Sequence, residues 1–365
     1  MRNTLATVLL AACATLLPAQ KRMVIIDQDG SGPGGSDQMS MLALLQAPDV
    51  QVLGITIVTG DAWRDEETLH TLRMLELTNH TDVPVVRGAV FPLIRTEEQT
   101  PLEERLNGKV AWLGAWGRGP ASLSESGIGI PPARLESHGP YEIPPMPEGL
   151  PTTKPLDEDA AHFLIRQVHA HPHQVTIYAA GPLTNIALAV SIDPEFAVLT
   201  KGIVIMGSSL NPQTSDPEFA TDPRHEFNFW FDPEAAHIVL HADWPRIDVT
   251  TVDISIKAPF TQAIVDQIAK SQAPAARYIA AWSQQRYYMW DELEACAWID
   301  PSIITKEVPL FMDVDLSHGP SYGDTLTWDE KQKPATGVRL VHAQLDLDLP
   351  RFQKMFVDLM TRTPQ

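Results

Sequence analysis

Three aspartates near the start of the chain could bind a cation together. Asp27 and Asp29 end a short apolar run at 23–26, and Asp37 follows a glycine-rich turn. Carboxylates that converge on one point repel one another unless a cation or a shared proton neutralises them. Their oxygens are hard ligands, and no histidine or cysteine lies nearby in sequence, which favours Ca²⁺ or Mg²⁺ over zinc or copper. The same residues leave a second interpretation open, a solvated acidic turn with Asp37 as a helix N-cap.

The segments around these aspartates alternate between strand-like and helix-like patterns. This alternation predicts a Rossmann-like α/β fold, an open and mostly parallel sheet with helices on both faces. Ligands of such sheets bind at the carboxyl ends of the strands, where Asp27 and Asp29 would lie. The predicted strands are 23–26, 52–58, 83–86, 175–179, 203–206, 247–252, 308–316 and 338–345, and the predicted helices are 65–77, 157–168, 183–190, 233–240, 261–270, 277–289, 292–298 and 351–360.

Residues 1–20 have the features of a signal peptide, with Arg2 before an apolar run and a small-residue cleavage site after Ala19. The apolar run is too short to span a membrane. A second interpretation is a lipoprotein signal that ends before Cys13, which would then carry a lipid anchor. Both interpretations predict an exported protein, periplasmic or extracellular, with no membrane span.

The charge of the chain restricts its partners. Acidic residues number 46 and basic residues 27, which gives a formal net charge of −19. A surface this negative repels phosphate backbones, so we expect no nucleic-acid partner and favour a neutral or cationic small molecule. Cys296 is the only cysteine outside the signal peptide, so we expect a buried thiol and no disulfide in the mature chain.

We expect residues 21–365 to form a single domain with one long insertion. The insertion, at about 91–155, is rich in proline and glycine and carries Trp112 and Trp116. A stretch of this length without periodicity is typical of a lid, a binding loop or a disordered insertion. We interpret it as a lid, and a disordered insertion is the alternative.

Five sequence blocks resemble the inosine–uridine-preferring nucleoside hydrolase family. They are IIDQDG at 25–30 with Ser36-Asp37, VLGITIVTG at 52–60, AGPLTNIA at 180–187, Met206-Gly207 with EFN at 226–228 and DPEAA at 232–236, and Asp291 ahead of Asp300-Pro301. One block alone would be weak, but the five occur in order over residues 23–365. The resemblance is to an exported bacterial member, and it implies the family fold and hydrolysis of the N-glycosidic bond of nucleosides.

The resemblance also implies roles for individual residues. Bound Ca²⁺ would be held by Asp29, Asp37, Asp291 and the backbone carbonyl of Ala180. Asp29 would act as general base on a calcium-bound water. The residues that it places around the substrate are Ser36, Asp61, Met206, Glu226 and Asn228. A homo-oligomer is also expected, because members of the family are often dimers or tetramers.

Several positions depart from the family pattern. The step from Asp29 to Asp37 is eight residues where the family usually has five, and Ser36 replaces the first aspartate of the usual pair. Asp61 stands where asparagine is common, which adds a negative charge.

Trp290 occupies the position of a histidine that many relatives use to protonate the leaving base, and the segment at 112–114 lacks their His-Gly. Trp290, with Trp282 and Tyr287, could stack on a nucleobase, or these side chains could simply pack into the core. The leaving-group acid is unassigned.

Two main functions remain compatible with these residues. The first is an exported, calcium-dependent N-ribosyl hydrolase that releases base and ribose. The alternative is a non-catalytic exported nucleoside- or sugar-binding protein on the same fold. Retention of Asp29, Asp37 and Asp291 favours the enzyme, because a pure binder would not require all three. A phosphatase with Asp-x-Asp chemistry is disfavoured by the glycines at 30 and 32.

Overall fold

The computed structural model describes residues 21–117, 137–283 and 287–363, and a large sheet forms its centre. The strands of the described residues are β1 (Arg22–Gln28), β2 (Val50–Ile57), β3 (Val85–Arg87), β4 (Leu156–Asp159), β5 (Val175–Ala179), β6 (Gly202–Met206), β7 (Ile247–Thr250), β8 (Ile304–Val314), β9 (Thr325–Trp328) and β10 (Arg339–Leu347). Their order is β4-β3-β2-β1-β5-β6-β7-β10-β8-β9. Pairing is parallel from β4 to β10 and antiparallel for β10–β8 and β8–β9. The predicted mostly parallel α/β fold is confirmed.

Helices cover both faces of the sheet. They are α1 (Ser36–Gln46), α2 (Arg64–Thr78), α3 (Thr100–Asn107), α4 (Ala160–Ala170), α5 (Thr184–Ile192), α6 (Phe196–Leu199), α7 (Pro217–Thr221), α8 (Phe227–Phe231), α9 (Pro233–His241), α10 (Val252–Ser255), α11 (Gln262–Ile268), α12 (Pro274–Trp282), α13 (Trp290–Ile299) and α14 (Leu349–Met360). Side chains alternate along a strand, so Tyr178 of β5 joins one buried apolar cluster while its neighbour Ile177 joins the other. Each cluster is completed by the helices on its own face.

One predicted helix is wrong at its end. The pattern predicts a helix over 277–289, but α12 ends at Trp282 and α13 begins at Trp290. Residues 284–286 of the predicted helix lie outside the described residues. Just before α13, long-range backbone bonds replace helical ones: Phe260 N–H donates to the Tyr287 carbonyl at 2.7 Å, and Met289 N–H donates to the Ala258 carbonyl at 2.8 Å. Helical spacing of apolar residues does not reveal such pairing.

A second boundary also differs from the prediction. The helix predicted over 157–168 begins at Ala160, because the residues before it pair with β3 as β4. Asp159 caps this helix by accepting the backbone N–H of His162 at 3.1 Å.

The described parts of the insertion contain α3 and a 3₁₀ turn at Gly114–Trp116. Trp116 stacks on Phe231 of α8 with ring centroids 4.3 Å apart, so this part of the insertion is packed against α8. The lid interpretation stays a prediction. Residues 1–20 and 118–136 lie outside the described residues, and with them the predicted signal peptide and Cys13. Within the described part, no helix has the length and apolar character needed to cross a membrane.

Candidate functional site

Asp29 is buried directly after β1, with the loops that follow β2 and β5 on either side of it. Its Oδ2 accepts the backbone N–H of Asp61 at 3.0 Å. A Cβ placed on Gly60 would lie 2.1 Å from the same oxygen, and a Cβ on Gly181 would lie 2.9 Å from Oδ1. Glycine is required at both positions, because any side chain would occupy the space around the carboxylate.

Besides burial, the charges of three further aspartates, Asp61, Asp37 and Asp291, raise the pKa of Asp29. Asp37 lies in the first turn of α1 and Asp291 in the first turn of α13, and both are buried. The pKa of Asp29 is raised well above its ordinary value by burial, and also by the charges of Asp61 and Asp37. Burial also raises the pKa of Asp37, and the charges of Asp61 and Asp291 add to the shift. We call Asp29, Asp37, Asp61 and Asp291 the strand-end group.

The strand-end group suits a hard divalent cation. The charged groups that raise the pKa of Asp29 are all carboxylates, including Glu67 and Asp291. Nearby, one oxygen of Glu67 and one of Glu292 are buried without a hydrogen-bond partner. A bound cation would offset this repulsion, and a donor set made only of oxygens matches calcium.

The four predicted metal ligands come from different elements that meet at one edge of the sheet. Asp29 follows β1, Ala180 follows the adjacent β5, and Asp37 and Asp291 begin α1 and α13. The N–H of Ala180 donates to the Asp27 carbonyl at 3.0 Å, which fixes the start of its loop against β1. These residues fit calcium, and the ligand set stays a prediction.

Asp27 belongs to the structural support of the site. Its Oδ2 accepts hydrogen bonds from Thr56 at 2.5 Å and from Asn185 at 2.8 Å. Burial raises its pKa to about 7. Asn185 in turn accepts the Ala89 N–H at 2.8 Å, so this residue of the AGPLTNIA block links the start of α5 to β1 and to the loop after β3.

Gln28 and Ser36 position Asp291. Gln28 Nε2 donates to Asp291 Oδ2 at 3.2 Å, and Gln28 Oε1 accepts the Asp29 N–H at 2.9 Å. Ser36 Oγ donates to Glu292 Oε2 at 2.6 Å and accepts the Asp291 N–H at 3.2 Å. The serine therefore holds the start of α13 against α1, and its predicted contact with ribose stays a prediction. Sequence analysis missed Gln28 and Glu292, because their partners lie far away in the chain.

Trp112 approaches the group from the insertion. Its indole Nε1 donates to Asp61 Oδ1 at 2.5 Å. The same segment is held by the Ala115 N–H, which donates to the Gly60 carbonyl at 2.9 Å. A Cβ on Gly114 would lie 2.2 Å from that carbonyl oxygen, so glycine is needed for this close approach. The indole N–H thus stabilises the additional carboxylate at position 61 by a hydrogen bond.

Glu226, Asn228 and Met206 form one hydrogen-bonded unit. Glu226 caps α8, because its Oε1 accepts the Asn228 N–H at 2.9 Å and its Oε2 accepts the N–H groups of Phe229 at 3.0 Å and Ser208 at 3.2 Å. Asn228 Nδ2 donates to the Met206 carbonyl at 3.1 Å. Burial raises the pKa of Glu226 to about 7. The unit has a capping role, and its predicted contact with substrate stays a prediction.

Trp290 lies in a group of aromatic rings. Its ring centroid is 5.6 Å from that of Tyr287, 5.1 Å from that of Tyr288 and 5.7 Å from that of Phe219, all edge to face. Trp290 and Trp282 also pack against the larger apolar cluster. Core packing is therefore part of their role, and stacking on a base stays a prediction.

A cavity of about 840 Å³ opens beside these rings. Tyr287 and Tyr288 line it, and their hydroxyls donate to Glu218 Oε2 at 3.0 Å and Asp216 Oδ2 at 3.3 Å. Burial raises the pKa of Glu218 to about 7, and the charges of Asp216 and Glu226 add to the shift. A cavity of this size accommodates a small molecule. Among the described lining residues are none of the predicted metal ligands.

Comparison with known proteins identifies the family. Residues 24–354 match the model of the inosine-uridine preferring nucleoside hydrolases. An uncharacterized protein of Schizosaccharomyces pombe, C800.11, is 27% identical over 96% of this chain and 87% of its own length. The probable uridine nucleosidase 1 of Oryza sativa is 30% identical over 72% of this chain and 68% of its own length.

Solved structures agree with this result. A plant nucleoside hydrolase, the PpNRh1 enzyme, superposes with a TM-score of 0.71 and 25% identity over 93% of this chain and 99% of its own. An inosine-guanosine nucleoside hydrolase superposes with a TM-score of 0.70 over 94% of this chain and 100% of its own, and at 23% identity it supports the fold alone. The chain therefore belongs to the inosine-uridine preferring nucleoside hydrolase family, and this membership indicates an N-glycosyl hydrolase that acts on nucleosides.

Proposed function

We propose that the chain is an exported, calcium-dependent N-ribosyl hydrolase that cleaves nucleosides to free base and ribose. The observation that carries this proposal is the burial of Asp29, Asp37 and Asp291 at one edge of the sheet, where the charges acting on Asp29 are those of other carboxylates. Folding such a group is costly without a cation, and a purely structural role would not require it.

Asp29 is the proposed general base. Its Oδ2 already accepts the Asp61 N–H, so we assign the proton of the attacking water to Oδ1. When bound, calcium would lower the pKa of a coordinated water and orient the ribose hydroxyls. The negative charge of the group suits the reaction, because N-glycosidic cleavage passes through a transition state that resembles a ribosyl cation.

The proposed ribose contacts come from Ser36, Asp61, Met206, Glu226 and Asn228. Glu226 orients Asn228 by accepting its backbone N–H, and Asn228 holds the carbonyl of Met206. Trp290 would stack on the departing base beside Tyr287 and Tyr288, whose hydroxyls line the adjacent cavity. Uridine is a reasonable first substrate, because one similar protein bears the name of a probable uridine nucleosidase.

The remaining parts of the proposal concern location and assembly. Residues 1–20 would direct export to the periplasm or outside the cell, and Cys13 would be lipidated if the lipoprotein signal is used. We also propose a homo-oligomer, which sedimentation of the purified chain would test.

Release of ribose tests the proposed activity. The chain from Lys21 onward is incubated with inosine, adenosine, guanosine, uridine and cytidine, once with calcium and once after chelation, and free ribose is measured. We expect release from at least one nucleoside, loss of release on chelation, and recovery when calcium is returned. Calcium binding without release from any nucleoside would support the non-catalytic binding protein. Release that persists after complete chelation would contradict calcium dependence.

A further inference from the structure

Two histidines of α9 and one aspartate of β8 converge away from the residues assigned to hydrolysis. His237 and His241 are four positions apart, so they lie on the same face of the helix. Their ring centroids are 4.0 Å apart. His237 Nδ1 lies 2.7 Å from Asp313 Oδ1, and His241 Nε2 lies 2.9 Å from Asp313 Oδ2. We call these three residues the α9–β8 group.

The three ligand atoms already stand near the positions that a metal ion requires. One donor atom from each residue lies within 4.8 Å of the donors of the other two. Zinc binds imidazole nitrogen and carboxylate oxygen at about 2.0–2.2 Å, so tetrahedral ligand atoms are roughly 3.4 Å apart. The observed separations, 2.7 Å from His237 to Asp313 Oδ1 and 2.9 Å from His241 to Asp313 Oδ2, would need to open by roughly 0.5–0.7 Å to admit the ion.

Neighbouring groups orient the ligands and keep the site accessible. The Val314 N–H donates to Asp313 Oδ1 at 2.8 Å, the kind of supporting bond that holds metal-binding carboxylates in place. A Cβ on Gly337 would lie 2.8 Å from Cε1 of His241, so the chain passes directly against that ring. The side chains of His237, His241 and Asp313 are 34%, 26% and 15% exposed, which leaves a path for the ion and room for water as a further ligand.

Arg339, which hydrogen-bonds to the backbone of His241, does not block a cation. Arg339 Nε donates to the His241 carbonyl at 3.1 Å, but its guanidinium pairs with Asp243 at 2.6 Å. The charge of Arg339 is therefore compensated locally, and Asp313 supplies the negative charge within the group itself.

We propose that His237, His241 and Asp313 bind a zinc ion, or a divalent transition metal of similar ligand preference, at a site separate from the strand-end group. Two imidazoles and one carboxylate select such metals, whereas calcium requires a shell of oxygens. Bound metal would link α9 to β8. Because α9 directly follows α8, the link would stabilise the part of the fold that carries Glu226 and Asn228.

Zinc binding to the tag-free protein from Lys21 onward tests this proposal without an activity assay. The protein is stripped of metal, saturated with calcium and titrated with zinc by calorimetry. We expect one zinc ion per chain in competition with a weak chelator. Affinity should fall at least tenfold in His237→Asn, in His241→Asn and in Asp313→Asn. His162→Asn is the matched control, because His162 also lies on a helix and pairs with a carboxylate, Asp159, at 2.7 Å.

A measurement on the unaltered protein keeps the test decisive if a variant folds poorly. Zinc should protect His237 and His241 from diethyl pyrocarbonate while His162 remains reactive, as read by peptide mass spectrometry. Unchanged zinc affinity in the His237→Asn/His241→Asn double variant would overturn the proposal. So would equal modification of all three histidines with and without zinc. Neither result would bear on ribose release, so the proposed hydrolase is tested separately.

Discussion

The strand-end group and the α9–β8 group each bring together side chains that could bind a metal ion, but they differ in what surrounds the carboxylates. At the end of β1 the charges acting on Asp29 are those of other acids, and burial has raised its pKa. On α9 and β8 a single carboxylate, Asp313, lies between two imidazoles and is partly exposed. Without a cation, the carboxylates of the strand-end group repel one another. Asp313, in contrast, is already hydrogen-bonded to His237 and His241. Donor type would select the metal, and burial would decide how much the fold depends on it.

Removing the proposed base should have the largest effect. Asp29→Asn keeps the size of the side chain but cannot accept the proton of water, so we expect kcat to fall by about 10²- to 10⁴-fold. Asp358→Asn, which alters an exposed acid paired with Lys354, should leave the rate within a factor of two. Steady-state ribose release measures both, and equal rates in the two variants would contradict the role of Asp29.

Calcium should stabilise the fold more at alkaline pH than at acidic pH. Burial raises the pKa of Asp29 and Asp37 above their ordinary value of 3.8, and raises that of Glu226 from 4.5 to about 7. The folded state without metal therefore holds protons that the unfolded state releases, so its stability should fall as pH rises from about 4 through 7. Calcium binds ionised carboxylates, so its effect on stability should grow as rising pH removes protons from Asp29 and Asp37.

Thermal unfolding at pH 5, 6, 7 and 8, with calcium and with chelator, measures this effect. The expected result is a difference in Tm that increases with each step in pH. A difference that is constant, or largest at pH 5, would mean that the strand-end group does not hold the ion.

Loss of the Trp112 hydrogen bond should have an intermediate effect. Trp112→Phe keeps an aromatic ring but removes the indole N–H that donates to Asp61. A hydrogen bond to a charged group contributes about 1.5–3 kcal/mol, so we expect kcat/KM to fall about tenfold or more. Trp244→Phe is the matched control, since its indole donates to the Val239 carbonyl at 2.8 Å on the other side of the fold. Equal losses in both variants would indicate a general effect on stability.

The smallest effect should come from an imidazole that supports the insertion. His138 Nε2 lies 3.0 Å from Glu66 Oε2, and this hydrogen bond raises the pKa of His138 above 6.5. Glu66, whose pKa is lowered to about 2, stays ionised throughout the working range. The contribution of the pair is therefore present below pH 6.5 and is lost as pH rises through the raised pKa of His138.

The variant His138→Gln measures that contribution. Its Tm should lie below that of the unaltered protein by about 1–2 °C at pH 6, because a partly exposed pair contributes little. The difference should shrink at pH 8.5. A difference that is constant with pH, or that grows as pH rises, would contradict a contribution from the protonated imidazole of His138.

Local sequence determined the elements that carry the candidate site. Apolar β-branched runs predicted β1, β5 and β6 within a few residues, because these central strands are covered on both faces of the sheet. The positions of Asp29 and Asp37 followed directly, since Asp29 comes just after β1 and Asp37 lies in the first turn of α1. The prediction failed before α13, where Tyr287 and Met289 form long-range backbone hydrogen bonds that override the local pattern.

Tertiary structure alone decided what each polar residue does. Asp27 and Asp29 are two positions apart in sequence, yet Oδ2 of Asp27 accepts hydrogen bonds from Thr56 and Asn185, while the charges that raise the pKa of Asp29 are those of other acids. Contacts between residues more than 250 positions apart, such as Gln28 with Asp291, leave no local signal. The α9–β8 group arises in the same way, because its histidines are local to one helix but Asp313 reaches them only through the antiparallel end of the sheet. Local periodicity indicates which residues are buried, but the partners of a buried charge come from distant segments and therefore depend on the tertiary structure.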